Sequence, residues 1–202
     1  MNKYGFLAVI IAFCNIPAAQ AQVDFGVKAG VNVNTVKYRE ADPEMASVGF
    51  NVGGLAQLPV TQGFFIRPEV QYSIKGYRFP ALGAEGSGTV RFHYIAFPVL
   101  AGFPIGNKFG FLIGPEFGFL TKASSKFSTG SRDVTNNFQQ FDWGLDLGGT
   151  YKITSALGVE VRYNYGFRGL IKGITTDDNG GYTGSTKDGA NRVLQAGLFF
   201  LL

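Results

Sequence analysis

Long apolar runs, cysteine and histidine are what this chain has least of, and each scarcity excludes something. After the N-terminal stretch no apolar run approaches the roughly 20 residues that a membrane-spanning helix needs. Cysteine occurs once, as Cys14, inside that stretch; if it is removed with it, the mature chain has no disulfide and no thiol chemistry. Histidine also occurs once, as His93, and no Ser–His–acid arrangement is legible around it. Charge is sparse at 16% of residues, and the 18 Lys and Arg against 14 Asp and Glu are spread along the chain. A basic patch for nucleic acid is therefore not expected. Glycine-rich stretches such as Gly83 to Gly88 follow no strand–helix pattern, so a phosphate loop is unsupported.

The N-terminal stretch has its own logic. Lys3 supplies a positive start, Tyr4 to Phe13 an apolar core, and Ala19-Gln20-Ala21 a small-x-small cleavage site. This predicts a secretory signal peptide over residues 1–21 and one mature domain over 22–202. Cys14 invites a lipoprotein reading, but Phe13 is too bulky for the position before a lipidated cysteine.

What the chain does have is glycine, with 29 residues, aromatics at 15%, and alternation. Eight segments, at about 23–34, 47–58, 64–76, 89–101, 109–122, 140–152, 156–169 and 191–202, each set an apolar face against a polar one. The third reads Phe64, Ile66, Pro68, Val70, Tyr72, Ile74 against Phe65, Arg67, Glu69, Gln71, Ser73, Lys75. A period of two is the signature of a β-strand. The connections alternate too: short after segments two, four and six, long and polar after one, three, five and seven. That layout predicts an all-β fold, an eight-stranded antiparallel up-and-down transmembrane β-barrel with short periplasmic turns and long extracellular loops. Mean hydropathy near zero is no objection, because a barrel hides its apolar residues in alternation.

Which face meets lipid follows from charge. The apolar positions, from Val23 in the first segment to Phe167 in the seventh and Leu194 to Leu202 in the eighth, include no Asp, Glu, Lys, Arg or His in the register that keeps them clean. Roughly seven would be expected by chance, and a charge at the bilayer midplane costs about 2–4 kcal/mol. A soluble lipocalin-like barrel would show the opposite, charges outside and an apolar lumen. Tyr72, Phe92, Tyr94, Trp143, Tyr151, Tyr163 and Tyr165 are expected to form the interfacial girdles.

The other face is expected to fill the lumen with a structural polar network. Lys28, Arg67, Lys75, Arg91, Arg162 and Arg168, with His93, oppose Glu69, Glu116, Asp142, Asp146 and Glu160, and Lys152 and Asp24 share that face. Side chains alone can fill eight strands, and opposite charges buried together should pair. Glycines 110, 114, 118, 144, 148 and 166 make room for the long side chains. In the fourth segment this register turns Ile95, Phe97 and Val99 inward, so part of the lumen is expected to be apolar. Pro68, Pro98 and Pro115 fit less well, since each loses a ladder bond inside a strand. No catalytic, cofactor or metal site is expected. Asp177-Asp178-Asn179-Gly180 has the look of a calcium loop without its later glutamate, and Asx-Gly turns explain it.

From about Phe92 onward the sequence resembles the PorT-like outer-membrane β-barrel family of Gram-negative bacteria. The resemblance is carried by Tyr94-Ile95-Ala96-Phe97-Pro98-Val99-Leu100 and Gly114-Pro115-Glu116-Phe117-Gly118-Phe119-Leu120. Phe141-Asp142-Trp143-Gly144-Leu145-Asp146-Leu147-Gly148 and Arg162-Tyr163-Asn164-Tyr165-Gly166 continue it. The end, Phe199-Phe200-Leu201-Leu202, departs from the aromatic last residue usual in such barrels. The resemblance implies the outer membrane of a Gram-negative bacterium and, for a minority of the family, a link to protein secretion. The expectation is thus a non-enzymatic barrel in outer-membrane lipid that binds through its extracellular loops, with an extracellular or secretion-machinery protein as partner. The alternative is transport of small or apolar solutes past Ile95, Phe97 and Val99.

Overall fold

The computed structural model describes residues 23–37, 45–79, 87–127, 130–170, 173–176, 182–186 and 189–202. The expected signal peptide, Cys14 and Asp177 to Gly180 lie outside these residues. The strands are β1 (Asp24–Lys37), β2 (Met45–Thr61), β3 (Phe64–Phe79), β4 (Gly88–Ile105), β5 (Phe109–Phe127), β6 (Gly130–Asp133), β7 (Phe141–Lys152), β8 (Leu157–Gly166), β9 (Gly173–Thr176), β10 (Tyr182–Thr186) and β11 (Ala190–Leu201). Eight of them close into an antiparallel barrel in the order β1-β2-β3-β4-β5-β7-β8-β11, with β11 returning to β1 and β4 paired to β5. Strand β6 adds to the end of β5, and β9 and β10 form a separate hairpin. The alternation predicts none of these three as a strand, and Gly130–Asp133 is exposed throughout.

Local chemistry sets the short turns. At the β2–β3 turn Gly63 N–H donates to Thr61 Oγ1 at 3.3 Å. Gly106 turns the chain between β4 and β5 with a φ of +62°, where a side chain would be strained. Thr154 Oγ1 accepts from Ala156 N–H at 3.3 Å and Leu157 N–H at 2.9 Å, closing the β7–β8 turn. Strands β4 and β5 run 18 and 19 residues, well beyond the roughly 9–11 that cross a bilayer. Their surplus stands clear at the long-loop end.

The facing matches the charge argument in seven barrel strands and reverses it in β4. Phe92, Tyr94, Ala96 and Leu100 are fully buried inside, while Phe97 and Val99 are 40% and 42% exposed on the outer wall beside Ile95. Arg91 is exposed and His93 lies on that same outer face, so neither joins the lumen network. Nor are Phe92 and Tyr94 girdle residues. The physical reason is that both faces of β4 are apolar across the membrane band. Its outward polar residues Thr89, Arg91 and His93 lie above that band, where the outside of the barrel no longer meets acyl chains.

The prolines are accommodated one ladder at a time. Pairing lapses for two residues at Ala56–Gln57 opposite Arg67–Pro68, at Glu69–Val70 opposite Phe97–Pro98, and at Val99–Leu100 opposite Gly114–Pro115. The register is the same on both sides of each lapse. Each proline keeps the ladder on its other side, so the missing donor costs one strand pair a local bond and leaves closure intact.

The facing of β4 is testable. Val99→Arg should lower the stability of protein refolded into vesicles by about 2–4 kcal/mol in urea titrations, whereas Val99→Leu should cost less than about 1.5 kcal/mol. Equal, small effects from the two variants would return Val99 to the lumen.

Candidate functional site

The lumen is layered. At its centre Arg162 donates to Glu69 at 2.8 Å, to Glu160 at 2.9 Å and to Asp146 at 3.0 Å. Arg67 meets Glu69 through Nε at 2.8 Å and Glu160 through Nη2 at 2.7 Å. Lys28 bridges Glu69 at 3.1 Å and also pairs with Glu160. Three cations thus face three carboxylates, all at 5% exposure or less. These side chains come from β1, β3, β7 and β8, so the network ties opposite walls together. Two inward glycines admit it. A Cβ at Gly148 would come within 2.6 Å of the Val161 carbonyl and 3.2 Å of Arg162 Cβ, and one at Gly53 within 2.7 Å of Gln71 Cβ.

Toward the long loops lies a second polar group. Lys75 pairs with Glu116 at 2.7 Å and lies 5.3 Å from the Tyr94 ring centre, while Gln71 donates to Glu116 at 3.0 Å. Asn191 donates to Asp142 at 2.7 Å, and Asn164 to Asp146 at 2.7 Å. Beside them Asn32 links Asn51, Ser73 and the Ile74 carbonyl at 2.6 to 3.0 Å. Gln71 and Ser73 stand on the polar face read from the sequence, and the inward parity of Asn32, Asn51 and Asn191 in their strands could have shown those too.

Apolar clusters close both ends of this polar column. Above it Val36, Tyr77, Val90, Phe92, Tyr94, Leu120 and Ala123 pack with Phe138 and Leu170. The last two come from connecting segments. A short 3-10 turn at Thr135–Asn137 sets Phe138 edge-on to Phe92 with ring centres 4.7 Å apart, and Gln139 N–H donates to the Leu170 carbonyl at 2.8 Å. Below it Leu55, Phe199 and Leu201 cluster, and the Arg67 guanidinium lies 5.1 Å from the Phe199 ring centre. A cavity of about 280 Å³ at the short-turn end is lined by Asp24, Gln57, Phe65, Lys152 and Phe199 among others, which puts Asp24 and Lys152 at the mouth.

Of the residues expected in one lumen network, the structure brings together Lys28, Arg67, Glu69, Asp146, Glu160 and Arg162, with Lys75, Glu116 and Asp142 in the layer above. It corrects three. His93 is on the outer wall, hydrogen-bonded through Nδ1 to Tyr72 Oη, and no carboxylate is its partner there. Arg91 is on the same wall. Arg168 sits at the long-loop rim, donating to Gln139 at 3.2 Å over the Phe141 ring. Strand parity ran past the end of β8 at Gly166, so it could not place Arg168.

The long-loop rim carries cations of its own. Among the described residues there, Lys37, Arg78, Arg91, Lys122, Lys126, Arg132, Arg168 and Arg192 stand against Asp133 alone. Asp133 is engaged by Thr135, whose N–H and hydroxyl donate to it at 2.9 and 2.7 Å. Those bonds, aided by Lys122, hold its carboxyl below the ordinary value. Arg192 lies 3.6 Å above the Tyr165 ring and donates to the Gly166 carbonyl at 2.8 Å.

A closed barrel with an apolar outer band, aromatic edges and a charged, packed interior is a transmembrane β-barrel of the outer-membrane type. The chain belongs to the outer membrane protein beta-barrel domain family, whose model matches residues 18–172. That match takes in the N-terminal strands, where the resemblance read from sequence was general only. Neisserial surface protein A shares the fold, with a TM-score of 0.57 at 14% identity over 89% of this chain and 98% of that one. So does Ail, the attachment invasion locus protein of Yersinia pestis, with a TM-score of 0.51 at 12% identity over 90% and 99%. No curated protein matches the chain in sequence. The protein is located in the outer membrane.

Arg162 is the test of the central layer. Arg162→Met should destabilise the refolded protein by about 3–5 kcal/mol, because it strands buried carboxylates. Urea midpoints would show it, and a loss under about 1 kcal/mol would mean that the network does not depend on this residue.

Proposed function

We propose that this protein is a non-enzymatic, sealed barrel that acts through its long loops as a structural and binding protein of the cell surface. The observation that carries this is the stacking of lumen layers: an apolar cluster at each end and balanced ion pairs between them. Moving a solute through would break buried pairs, each of which is expensive to leave single. The apolar route once expected past Ile95, Phe97 and Val99 faces lipid, which removes the main support for conduction. The long loops face outward from the cell and the short turns face the periplasm, the arrangement usual for such barrels. Ail, of the same fold, is named for attachment, which agrees with a role at the surface. The PorT-like motifs around Pro98 and Pro115 favour a second reading, an accessory part of a secretion machine, tested by deleting the gene and assaying secreted protein.

Two measurements test the main reading. Purified protein in planar bilayers should show no conductance steps, and reproducible steps would overturn the sealed lumen. The mass of protein extracted from outer membranes should correspond to a chain starting at Gln22; a start at Met1 or a lipidated Cys14 would overturn the signal peptide.

A further inference from the structure

Outward on β3, β4 and β5, just above the apolar band, three rows of the sheet carry four of the eight cations described at the rim. In the lowest, Ile74, His93 and Lys122 are register partners; in the next Gly76, Arg91 and Ser124; in the third Arg78, Thr89 and Lys126. Lys122 belongs to this wall only because of a bulge. The β4–β5 register shifts between His93 and Tyr94, leaving Thr121 as the extra residue with its hydroxyl donating to the His93 carbonyl at 2.9 Å. In a regular strand, strict alternation from inward Glu116 and Gly118 would turn Lys122 into the lumen. The bulge instead exposes Lys122 and keeps Ala123 buried.

Arg78 and Lys126 also border a cleft of about 640 Å³ with Ser87, Thr89, Phe79 and Phe127. Among the described residues none of Arg78, Arg91, Lys122 or Lys126 forms an ion pair. Directly beneath them the wall is apolar, with Phe97, Phe117 and Phe119 exposed and Ile95 half-buried.

We propose that this wall is a binding site for a phosphate-bearing lipid of the outer leaflet, its headgroup held by Arg78, Arg91, Lys122 and Lys126 and its acyl chains lying on the rings below. The chemistry is that of an amphiphile: cations without an ion pair among the described residues at the depth where headgroups sit, continuous with an apolar strip at the depth of acyl chains. Guanidinium and ammonium groups bind phosphate oxygens through charge-assisted hydrogen bonds, and this fits a lipid better than a free ion, because half of the surface would otherwise be idle. The inference depends on membrane insertion and not on the sealed lumen, so a conducting barrel would leave it standing.

Trp143, the sole tryptophan, is a built-in reporter, because it pairs in register with Phe117 and is 44% exposed on the lipid side. The full chain would be refolded into phosphatidylcholine vesicles that contain a minor fraction of brominated phosphatidic acid or brominated phosphatidylcholine. Quenching of Trp143 should correspond to an enrichment of the phosphatidic acid by about threefold at the protein surface. The combined variant Arg78→Ala, Arg91→Ala, Lys122→Ala, Lys126→Ala should bring that ratio to about one. A heat-modifiability gel shows that it has folded, and Lys122→Ala alone should give an intermediate ratio. Equal quenching by both lipids in the wild-type protein, or a preference kept by the four-residue variant, would overturn the site. Loss of the preference on adding inorganic phosphate would assign the cations to a soluble ion and overturn the lipid assignment.

Discussion

The need to pair charge in a space closed to water governs this molecule. An eight-stranded barrel with lipid outside must send its polar residues inward, and the interior is too narrow to hydrate them. Each inward carboxylate therefore needs a donor at the same height, a cation for Glu69, Glu116, Asp146 and Glu160 and the Asn191 amide for Asp142. Glu69, from β3, meets Arg162 from β8 and Lys28 from β1, and one residue links three strands that are not all neighbours. Glycine opposite the long side chains, amides around the carboxylates and apolar clusters at both ends all follow from that first requirement.

Most of the architecture was legible because the membrane imposes a rule that shows in single residues. In β3, Arg67, Glu69 and Lys75 fall on one parity and Ile66, Val70 and Tyr72 on the other, so the strand reads unambiguously. Strand β4 has no such marker within the membrane. Phe92, Tyr94 and Ala96 are as apolar as Ile95, Phe97 and Val99, and the outward polar residues Thr89, Arg91 and His93 stand where the rule has lapsed. A parity argument is only as good as the depth at which its charges lie. The closure of the long-loop mouth was illegible for another reason. Phe138 and Leu170 lie in connecting segments, where no periodicity links a residue to a face.

The two candidate surfaces divide the work differently. The lumen is a matter of stability, since its cations are spent on its carboxylates. Among the described residues the rim is where cations stand without an ion pair, and the bulge at Thr121 adds Lys122 to them. Sequence gave no sign of it, because a single unpaired residue in β5 is invisible until the partner strand is known.

The proline lapses make the barrel mechanically uneven. The ladders β5–β7, β7–β8, β8–β11, β11–β1 and β1–β2 run without interruption, whereas β2–β3, β3–β4 and β4–β5 each lapse for two residues at a proline, and β2–β3 and β4–β5 also shift register. The molecule is a stiff half-shell joined to a compliant panel. When the surrounding bilayer thins or thickens, the cross-section should flatten by flexing that panel, while the stiff side holds its curvature. The cationic rows and the apolar strip beneath them lie on the compliant side, so the wall best suited to gripping a lipid is also the one that yields most to the membrane's shape.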